Sequence, residues 1–298
     1  MASTIENVIK KTTQYYIFFC IIITLFCKQV IADVWTQKKN EGILIATVEE
    51  KTLKGIDDNG IFDKDKTITQ NTLNIYGEYG LSKRMTIGGK ILIVDSMMTK
   101  NNRILDIAIE RAVALDTSQI FARIGLIRKK HFALSVSTFI GAPSLYSDSA
   151  LNSYFSIKKW SYEPKIEIGI NFNKYHFLTL TCGYHRNIKH WYDEIRFELT
   201  YGYKIEKLLF MLRLQKYVYI TTDKEQEQQE ILSAQNITIY DFFIQSGFAK
   251  LTASIVFPLD KKLKMEIGLF SSLKTKLLFT EDMNVDIYGI YVSLWKKF

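Results

Sequence analysis

Apolar and polar residues alternate along most of this chain, in stretches of eight to twelve residues. From residue 164 to 172, isoleucine or phenylalanine fills the even positions after Pro164, while Lys165, Glu167, Gly169 and Asn171 fill the odd ones. A period of two is typical of β-strands whose two faces meet different surroundings. The same alternation recurs at 73–81, 194–203 and 263–270, and helical periodicity is nearly absent. The pattern therefore predicts an all-β protein.

Two all-β architectures fit this alternation. In a soluble sandwich the apolar face packs in the core and the charged face meets water. In a transmembrane barrel the apolar face meets lipid and the polar face lines the lumen. The spacing of the strands favours the barrel, because short connections alternate with long ones, as do the periplasmic turns and extracellular loops of outer-membrane barrels.

We predict 12 strands, with 10 or 14 as alternatives, and an even number places both termini in the periplasm. The predicted strands are 43–53, 67–81, 84–95, 103–127, 131–140, 162–172, 176–186, 190–203, 207–220, 238–257, 263–273 and 284–298. The first half of the fourth strand, 103–116, is expected beyond the membrane. The predicted turns are 82–83, 128–130, 173–175, 204–206 and 258–262, and the predicted longer loops include 55–66, 96–102, 141–161 and 221–235.

The first 32 residues have the features of a secretory signal peptide. Lys10 and Lys11 precede an apolar run from Tyr15 to Cys27, which at 13 residues is too short to span a bilayer. Val30 and Ala32 suit signal peptidase and predict cleavage before Asp33, giving a mature barrel of residues 33–298. The alternative is an uncleaved anchor helix that extends to Ala32.

Composition excludes several classes of protein. Hydrophobic residues make up 47% of the chain and aromatic residues 13%, with 3 prolines and 23% charged residues. Lys and Arg are distributed along the chain in spite of a net charge of +8, so we expect no nucleic-acid surface. Removal of the signal peptide leaves Cys182 as the single cysteine, and the sequence indicates neither a disulfide framework nor a metal site nor a cofactor.

The C-terminal strand carries a candidate assembly signal. Residues 286–298 alternate and end on an aromatic residue, which resembles the signal that the outer-membrane assembly machinery reads by strand addition. Lys296 departs from the usual pattern, because an aromatic residue is commoner there. The signal residues are Tyr288, Ile290, Val292, Leu294 and Phe298.

Several segments resemble a known group of barrels. They are Trp35 with Glu41-Gly42, the segment Tyr76-Gly77-Glu78-Tyr79-Gly80-Leu81, the segment from Arg84 to Lys90, and the C-terminal Leu294-Trp295-Lys296-Lys297-Phe298. They are similar to the outer-membrane proteins of the meta-pathway of phenol degradation and their XagA-like relatives, in pieces that cover about a third of the mature chain. The resemblance implies a barrel involved in transport, without catalytic residues.

The predicted inward face is rich in charge of both signs. Rings of mixed charge can select permeating solutes, but they can also pair and plug a barrel of this size. The predicted lumen-lining residues are Glu78, Lys90, Arg123, Lys165, Glu167, Glu194, Arg196, Glu198, Arg213, Lys250, Lys264 and Glu266.

The four histidines are the candidate catalytic bases of the chain. His131 and His176 fall at predicted periplasmic turns, whereas His185 and His190 flank a predicted extracellular loop near Arg186, Asp193 and Glu194. The His-x-Ser spacing of outer-membrane phospholipases does not occur, because Phe132, Ala133 and Leu134 separate His131 from Ser135. We therefore do not expect an enzyme.

The sequence thus predicts an exported outer-membrane barrel that acts as a pore or transporter for small solutes. Its expected partners are outer-membrane lipids, the assembly machinery and the solutes themselves. The alternative is a structural or surface-interaction barrel that acts through the loops 54–66, 141–161 and 221–237.

Overall fold

The computed structural model describes residues 36–54, 66–102, 105–146, 160–188, 192–221, 248–273 and 286–298. These residues form thirteen strands and no helix. The strands are β1 (Gly42–Lys54), β2 (Lys66–Gly80), β3 (Met85–Asn102), β4 (Leu105–Arg128), β5 (Phe132–Ala142), β6 (Leu145–Tyr146), β7 (Ser161–Asn171), β8 (His176–Asn187), β9 (Tyr192–Ile205), β10 (Leu208–Thr221), β11 (Phe248–Pro258), β12 (Leu263–Ser272) and β13 (Asp286–Lys297).

Twelve of these strands form a closed antiparallel barrel. Each pairs with its neighbours in the chain, and β13 pairs with β1 from Ile43↔Lys297 to Lys54↔Asp286 to close the sheet. The two-residue β6 lies outside this ring and, among the described residues, pairs only with β4, at Ala114 and Leu115. The predicted number of barrel strands is therefore confirmed.

The two ends of the barrel differ. One end holds the short connections, namely 81–84, 129–131, 172–175, 206–207 and 259–262, together with the first described residues and Phe298. We call it the turn end. The opposite end, which we call the loop end, holds the other connections, from the two residues 103–104 to longer segments, most of which fall outside the described residues.

The outer wall is apolar and the interior is polar. Ile120, Leu269 and Ile290 point outward and are 66%, 60% and 54% exposed, whereas Glu194 and Glu78 point inward and are 0% and 3% exposed. A soluble sandwich would show the reverse arrangement. Exposed aliphatic side chains around buried charges are the arrangement of a membrane barrel. No described helix has the length and apolar character needed to cross a membrane.

The prediction of a loop at 96–102 is wrong. β3 continues through Asn102 and pairs with β4 along this whole stretch, as far as Asn102↔Leu105. The segment was predicted as a loop because most of its residues are polar. It forms a strand because pairing between two strands depends on backbone hydrogen bonds and requires no apolar side chain. Register shifts at Ile91/Ile93 and at Met98/Thr99 exchange the faces along the hairpin. The predicted signal peptide and the segment 238–247 lie outside the described residues.

Glycines on the inner face make room for aromatic rings on the neighbouring strand. A Cβ added to Gly202 would lie 2.0 Å from the ring of Phe177, which is its direct cross-strand partner. This is a recognised way to compensate a strand glycine, because the ring covers the backbone that the glycine leaves bare. The same relationship holds for the cross-strand pairs Gly88 with Phe121, Gly268 with Tyr291, and Gly289 with Phe270.

Candidate functional site: the barrel interior

All twelve residues that the sequence placed on the inward face have buried or half-buried side chains, on strands whose alternate residues form the exposed outer wall. Most of them are brought together in small networks of opposite charge. Two lysines differ from the rest: among the described residues, neither Lys90 nor Lys264 has a carboxylate within ion-pair distance.

Arg123 is held between two glutamates near the turn end. Its Nη1 lies 2.8 Å from Oε2 of Glu78 on β2, and its Nε lies 2.7 Å from Oε2 of Glu167 on β7. The hydroxyls of Ser135 and Ser137 donate to Glu167 at 2.9 and 3.0 Å. The Arg123 guanidinium of β4 therefore joins β2 and β7, and β5 joins the same network through Glu167; we call this network the Arg123 clamp.

The segment before β1 folds against this clamp. The side-chain amide of Gln37 donates to Glu78, and its backbone amide donates to Thr86 Oγ1 at 2.9 Å. Arg128 donates to the carbonyl oxygen of Thr36 at 3.2 Å. Both Thr36 and Gln37 are buried. The N-terminal segment thus occupies part of the interior at the turn end, which the strand pattern alone gave no reason to expect.

Apolar side chains cross the interior beside the clamp. Ile43 and Val256 are almost fully buried and belong to a cluster with Leu209, Met211 and Trp295. The cluster reaches strands on opposite sides of the barrel, because Tyr76 of β2 and Phe177 of β8 also pack against it. We call it the apolar constriction; its members are Ile43, Ile45, Tyr76, Phe177, Leu209, Met211, Val256 and Trp295.

The constriction and the clamp are joined by Tyr76. Its hydroxyl donates to Oε2 of Glu78 at 2.7 Å while its ring stacks on Phe121 with centroids 5.5 Å apart. Phe121 in turn stacks on Phe139 at 4.6 Å, and the Lys165 ammonium lies 4.3 Å above that second ring. A row of aromatic rings therefore leads from the constriction towards the loop end.

A second charged network lies beyond this row. Glu163 Oε2 lies 3.2 Å from Nη1 of Arg196 and 3.6 Å from Nδ1 of His185, and its Oε1 lies 3.1 Å from Lys165. Arg196 also contacts Glu194 at 2.5 Å. Glu163 was missed in the sequence, because Pro164 and Tyr162 beside it interrupt the alternation that marks this strand further on.

The remaining predicted residues form smaller groups on the other side of the interior. Arg213 pairs with Glu198 at 3.4 Å, and Lys250 pairs with Glu49 at 3.6 Å. Glu266 accepts hydrogen bonds from Ser254 at 2.7 Å and Tyr291 at 2.6 Å. Glu198 and Glu266 have their donors on neighbouring strands, whereas the donor to Glu49 of β1 lies on β11, beyond β13 and β12 in the sheet.

Three of the four histidines, His131, His176 and His185, lie at the ends of the barrel where the sequence placed them, and His190 lies outside the described residues. His131 and His176 are at the turn end, where His131 contacts the carbonyl oxygen of Asn171 and His176 contacts the Tyr201 hydroxyl. His185 faces Glu163 rather than Asp193, which meets Tyr184 on the outer face. No cluster of potential metal ligands occurs in the part of the chain that the structure describes.

An apolar groove runs along the outer wall across β1 to β5. Its volume is about 840 Å³, and its lining includes the small residues Gly77 and Ala122. At this point the wall lacks side chains, because Gly77 and Gly89 are direct cross-strand partners. The groove is bordered by Leu44, Tyr79, Ile87, Ile120, Thr138, Ile140 and Phe298, and by the inner-face residues Ile43, Glu78, Gly88 and Phe121.

Four of the five residues of the candidate assembly signal lie on β13, the strand that closes the barrel, and Phe298 follows it directly. Tyr288, Ile290, Val292 and Phe298 are exposed on the outer face, whereas Leu294 is buried. The ring of Phe298 covers Gly42 and stacks on Tyr79 with centroids 6.4 Å apart. The terminal aromatic residue is thus fitted to the first strand.

No protein-family model matches this sequence, and no curated protein does. The fold is similar to the crystal structure of the COG4313 outer membrane channel from Pseudomonas putida F1, with a TM-score of 0.65, 11% identity, and coverage of 91% of this chain and 100% of the other. It is also similar to the beta domain of the Bordetella autotransporter Brka, with a TM-score of 0.50, 11% identity, and coverage of 87% and 100%. At these identities the similarity shows the fold, which is that of an outer-membrane β-barrel.

Proposed function

We propose that this protein is an outer-membrane channel for small polar or charged solutes, exported by the signal peptide of residues 1–32. The observation that carries the proposal is the interior itself, where charged side chains of both signs extend from Arg123 to the Glu163 network inside a closed, outwardly apolar barrel. Alternating charges allow a solute to exchange its hydration for protein contacts as it moves.

In this proposal a solute enters at the loop end and meets the Glu163 network first. Lys90, which has no carboxylate within ion-pair distance among the described residues, and Lys165, which lies above the ring of Phe139, then offer it positive charge. The apolar constriction is the barrier to passage, because polar solutes cross an apolar ring only when its side chains move apart and water enters. Gln37 and the Arg123 clamp hold that barrier in place from the turn end.

Two similarities support the same function. The channel from Pseudomonas putida F1 shares the fold over the whole of its own chain. The segments around 76–90 and 294–298 resemble the proteins of the meta-pathway of phenol degradation, and membership of that group is part of this proposal. The paired charges also fit a plugged, purely structural barrel. A measurement of solute flux distinguishes this barrel from a channel.

Proteoliposome swelling tests the proposal. Refolded mature protein should admit small solutes faster than protein-free liposomes, and uncharged, anionic and cationic solutes of equal size should enter at different rates. Lys90→Glu should shift the preference towards cations, whereas Lys129→Glu, at an exposed turn outside the interior, should not. Swelling no faster than in protein-free liposomes would leave the structural barrel as the better account.

The outer-wall groove favours a second candidate, the lateral passage of apolar solutes. Its lining includes Ile43 and Phe121, whose side chains lie on the inner face, so both faces of the wall contribute residues to the groove. Gly77→Phe would fill the groove from outside. If apolar solutes use it, this variant should slow uptake of an apolar fluorescent probe and leave the flux of charged solutes unchanged.

A further inference from the structure

The turn end of the barrel is strongly basic. Its turns and terminal segments, at 36–41, 81–84, 128–131, 172–175, 204–207, 259–262 and 296–298, contain fourteen Lys and Arg residues and three acidic ones. The whole chain has 39 basic and 31 acidic residues, so the remainder has more acidic than basic residues. The basic residues are Lys38, Lys39, Lys83, Arg84, Arg128, Lys129, Lys130, Lys174, Lys204, Lys207, Lys261, Lys262, Lys296 and Lys297.

These residues, which we call the basic rim, encircle the barrel rather than forming one patch. Every short connection at this end contributes one or more of them, and eleven of the fourteen are exposed. In the sequence they look evenly spread, because a turn of this kind recurs after each pair of strands. The fold collects them at one end.

The same turns also expose apolar side chains. Phe172, Ile205 and Leu259 are 59%, 43% and 47% exposed, next to the lysines of their turns. The Lys174 ammonium lies 4.8 Å above the ring of Tyr175, which is itself exposed. Apolar or aromatic groups with adjacent lysines are typical of the boundary between acyl chains and headgroups, where the amine extends to the polar layer.

We propose that the basic rim binds the phosphate headgroups of anionic phospholipids in the leaflet that faces the periplasm. Two observations favour lipid over an acidic protein: the charge follows the whole circumference, and it lies directly against exposed apolar side chains that belong in the acyl layer. Lys and Arg near an anionic membrane surface each contribute to binding, so the effect accumulates around the rim.

The three acidic residues of these segments, Glu41, Glu206 and Asp260, reduce this charge at the terminal segments and at two of the turns. Glu41 contacts both Lys38, at 3.7 Å, and Lys297, beside the junction of β1 and β13. Around 81–84, 128–131 and 172–175 the turns contain no acidic residue in the sequence. Lipid should therefore be held most firmly along the turns between β2 and β8.

The inference rests on the proposed function only for the orientation of the barrel, and its test does not depend on solute flux. The mature protein would be reconstituted in bilayers of phosphatidylcholine with spin-labelled phosphatidylglycerol or spin-labelled phosphatidylcholine as the probe lipid. The motionally restricted fraction of each probe gives the relative association constant at the barrel surface.

Wild-type protein should prefer phosphatidylglycerol by at least about threefold at low salt, and high salt should reduce the preference. A variant with Lys→Gln at 83, 129, 130, 174, 261 and 262 should lose most of it. The matched control, Lys→Arg at the same six positions, should keep it. For all three proteins, the fraction of reconstituted protein that is folded is measured, so that a loss of lipid preference is not mistaken for a loss of folding.

Three results would overturn the proposal. The first is an equal association constant for the two lipids in the wild type, and the second is a preference that survives in the Lys→Gln variant. The third is a wild type that shows no lipid preference but, in detergent, sediments with purified peptidoglycan, while the Lys→Gln variant does not sediment. That outcome would assign the rim to an acidic cell-wall polymer instead.

Discussion

Arg123 Nη1 lies 2.8 Å from Oε2 of Glu78, although the two residues belong to strands β4 and β2, which β3 separates. Both side chains are almost completely buried, and Glu167 contacts the same guanidinium from β7. A buried pair of this kind adds little net stability over an apolar equivalent, but removal of one partner leaves an uncompensated charge.

Arg123→Met should therefore destabilise the barrel strongly. Glu78 and Glu167 would be left as two buried carboxylates without their cation, at a cost of about 3–5 kcal/mol. Urea unfolding in lipid vesicles, followed by tryptophan fluorescence, measures the loss.

Arg111→Met is the matched control. Arg111 pairs with Asp95 at 2.7 Å, but its side chain is 53% exposed on the outer face, so the change should cost about 0–1 kcal/mol. Adding Glu78→Gln and Glu167→Gln to Arg123→Met should recover much of the lost stability. Equal losses for Arg123→Met and Arg111→Met would refute the assignment of the clamp.

Gly268→Ala should disturb the hydrogen bond from Tyr291 to Glu266, although Gly268 takes no part in that bond. The added Cβ would lie 2.3 Å from the Tyr291 ring, which must move away from Glu266. We expect a loss of about 1–3 kcal/mol in the unfolding free energy. Gly77→Ala is the control, because its Cβ would meet no atom closer than 3.6 Å, and its unfolding free energy should stay near the wild-type value.

Phe298→Ala should impair assembly more than stability. The Phe298 ring covers Gly42 and stacks on Tyr79, at the junction of β13 and β1 that closes the barrel. The fraction of the protein that reaches the heat-modifiable folded form in cells should fall severalfold. Phe172→Ala removes an equally exposed ring from a turn and should leave that fraction near wild type. If both variants assemble normally, Phe298 is not part of the assembly signal.

Glu41 should give the barrel a pH-dependent contribution to stability. The hydrogen bond from Lys297 lowers the pKa of this carboxyl below its ordinary value of 4.5. Because the pKa is lower in the folded than in the unfolded protein, the contribution is complete above 4.5 and is lost as the pH falls through the folded pKa. The melting temperatures of wild type and Glu41→Gln should therefore differ at pH 6 and converge in more acidic buffer. A difference that is independent of pH would contradict the assignment.

Much of the wall could be predicted from the sequence because the side chains of a barrel strand point alternately to the lipid and to the interior. Residues such as Ile166 and Glu167 must face lipid and interior in turn, so the alternation itself locates the strands and their faces. Hairpin pairing between chain neighbours then leaves little freedom in the order of strands. The error at 96–102 arose where polar residues continue a strand that needs only backbone pairing.

The interior could be predicted only in part, because its contacts join strands that are distant in the chain. The alternation places Arg123 on the inner face, but it gives no information that Glu78 and Glu167 are its partners. The apolar constriction breaks the rule of a polar interior, so the alternation gives no indication that Met211 and Trp295 form a barrier across it. Gln37 lies before the first strand, where no periodicity exists to indicate its contact with Glu78.

Single-channel recording in planar bilayers tests the central claim, that the interior is a passage narrowed by the apolar constriction. The comparison is between wild type, the Met211→Ala/Trp295→Ala double variant, and Leu269→Ala as a control on the outer face. We predict discrete conductance steps for the wild type, larger steps for the double variant, and unchanged steps for the control. A folded double variant that conducts no better than the wild type, or the absence of conductance in all three proteins, would contradict it.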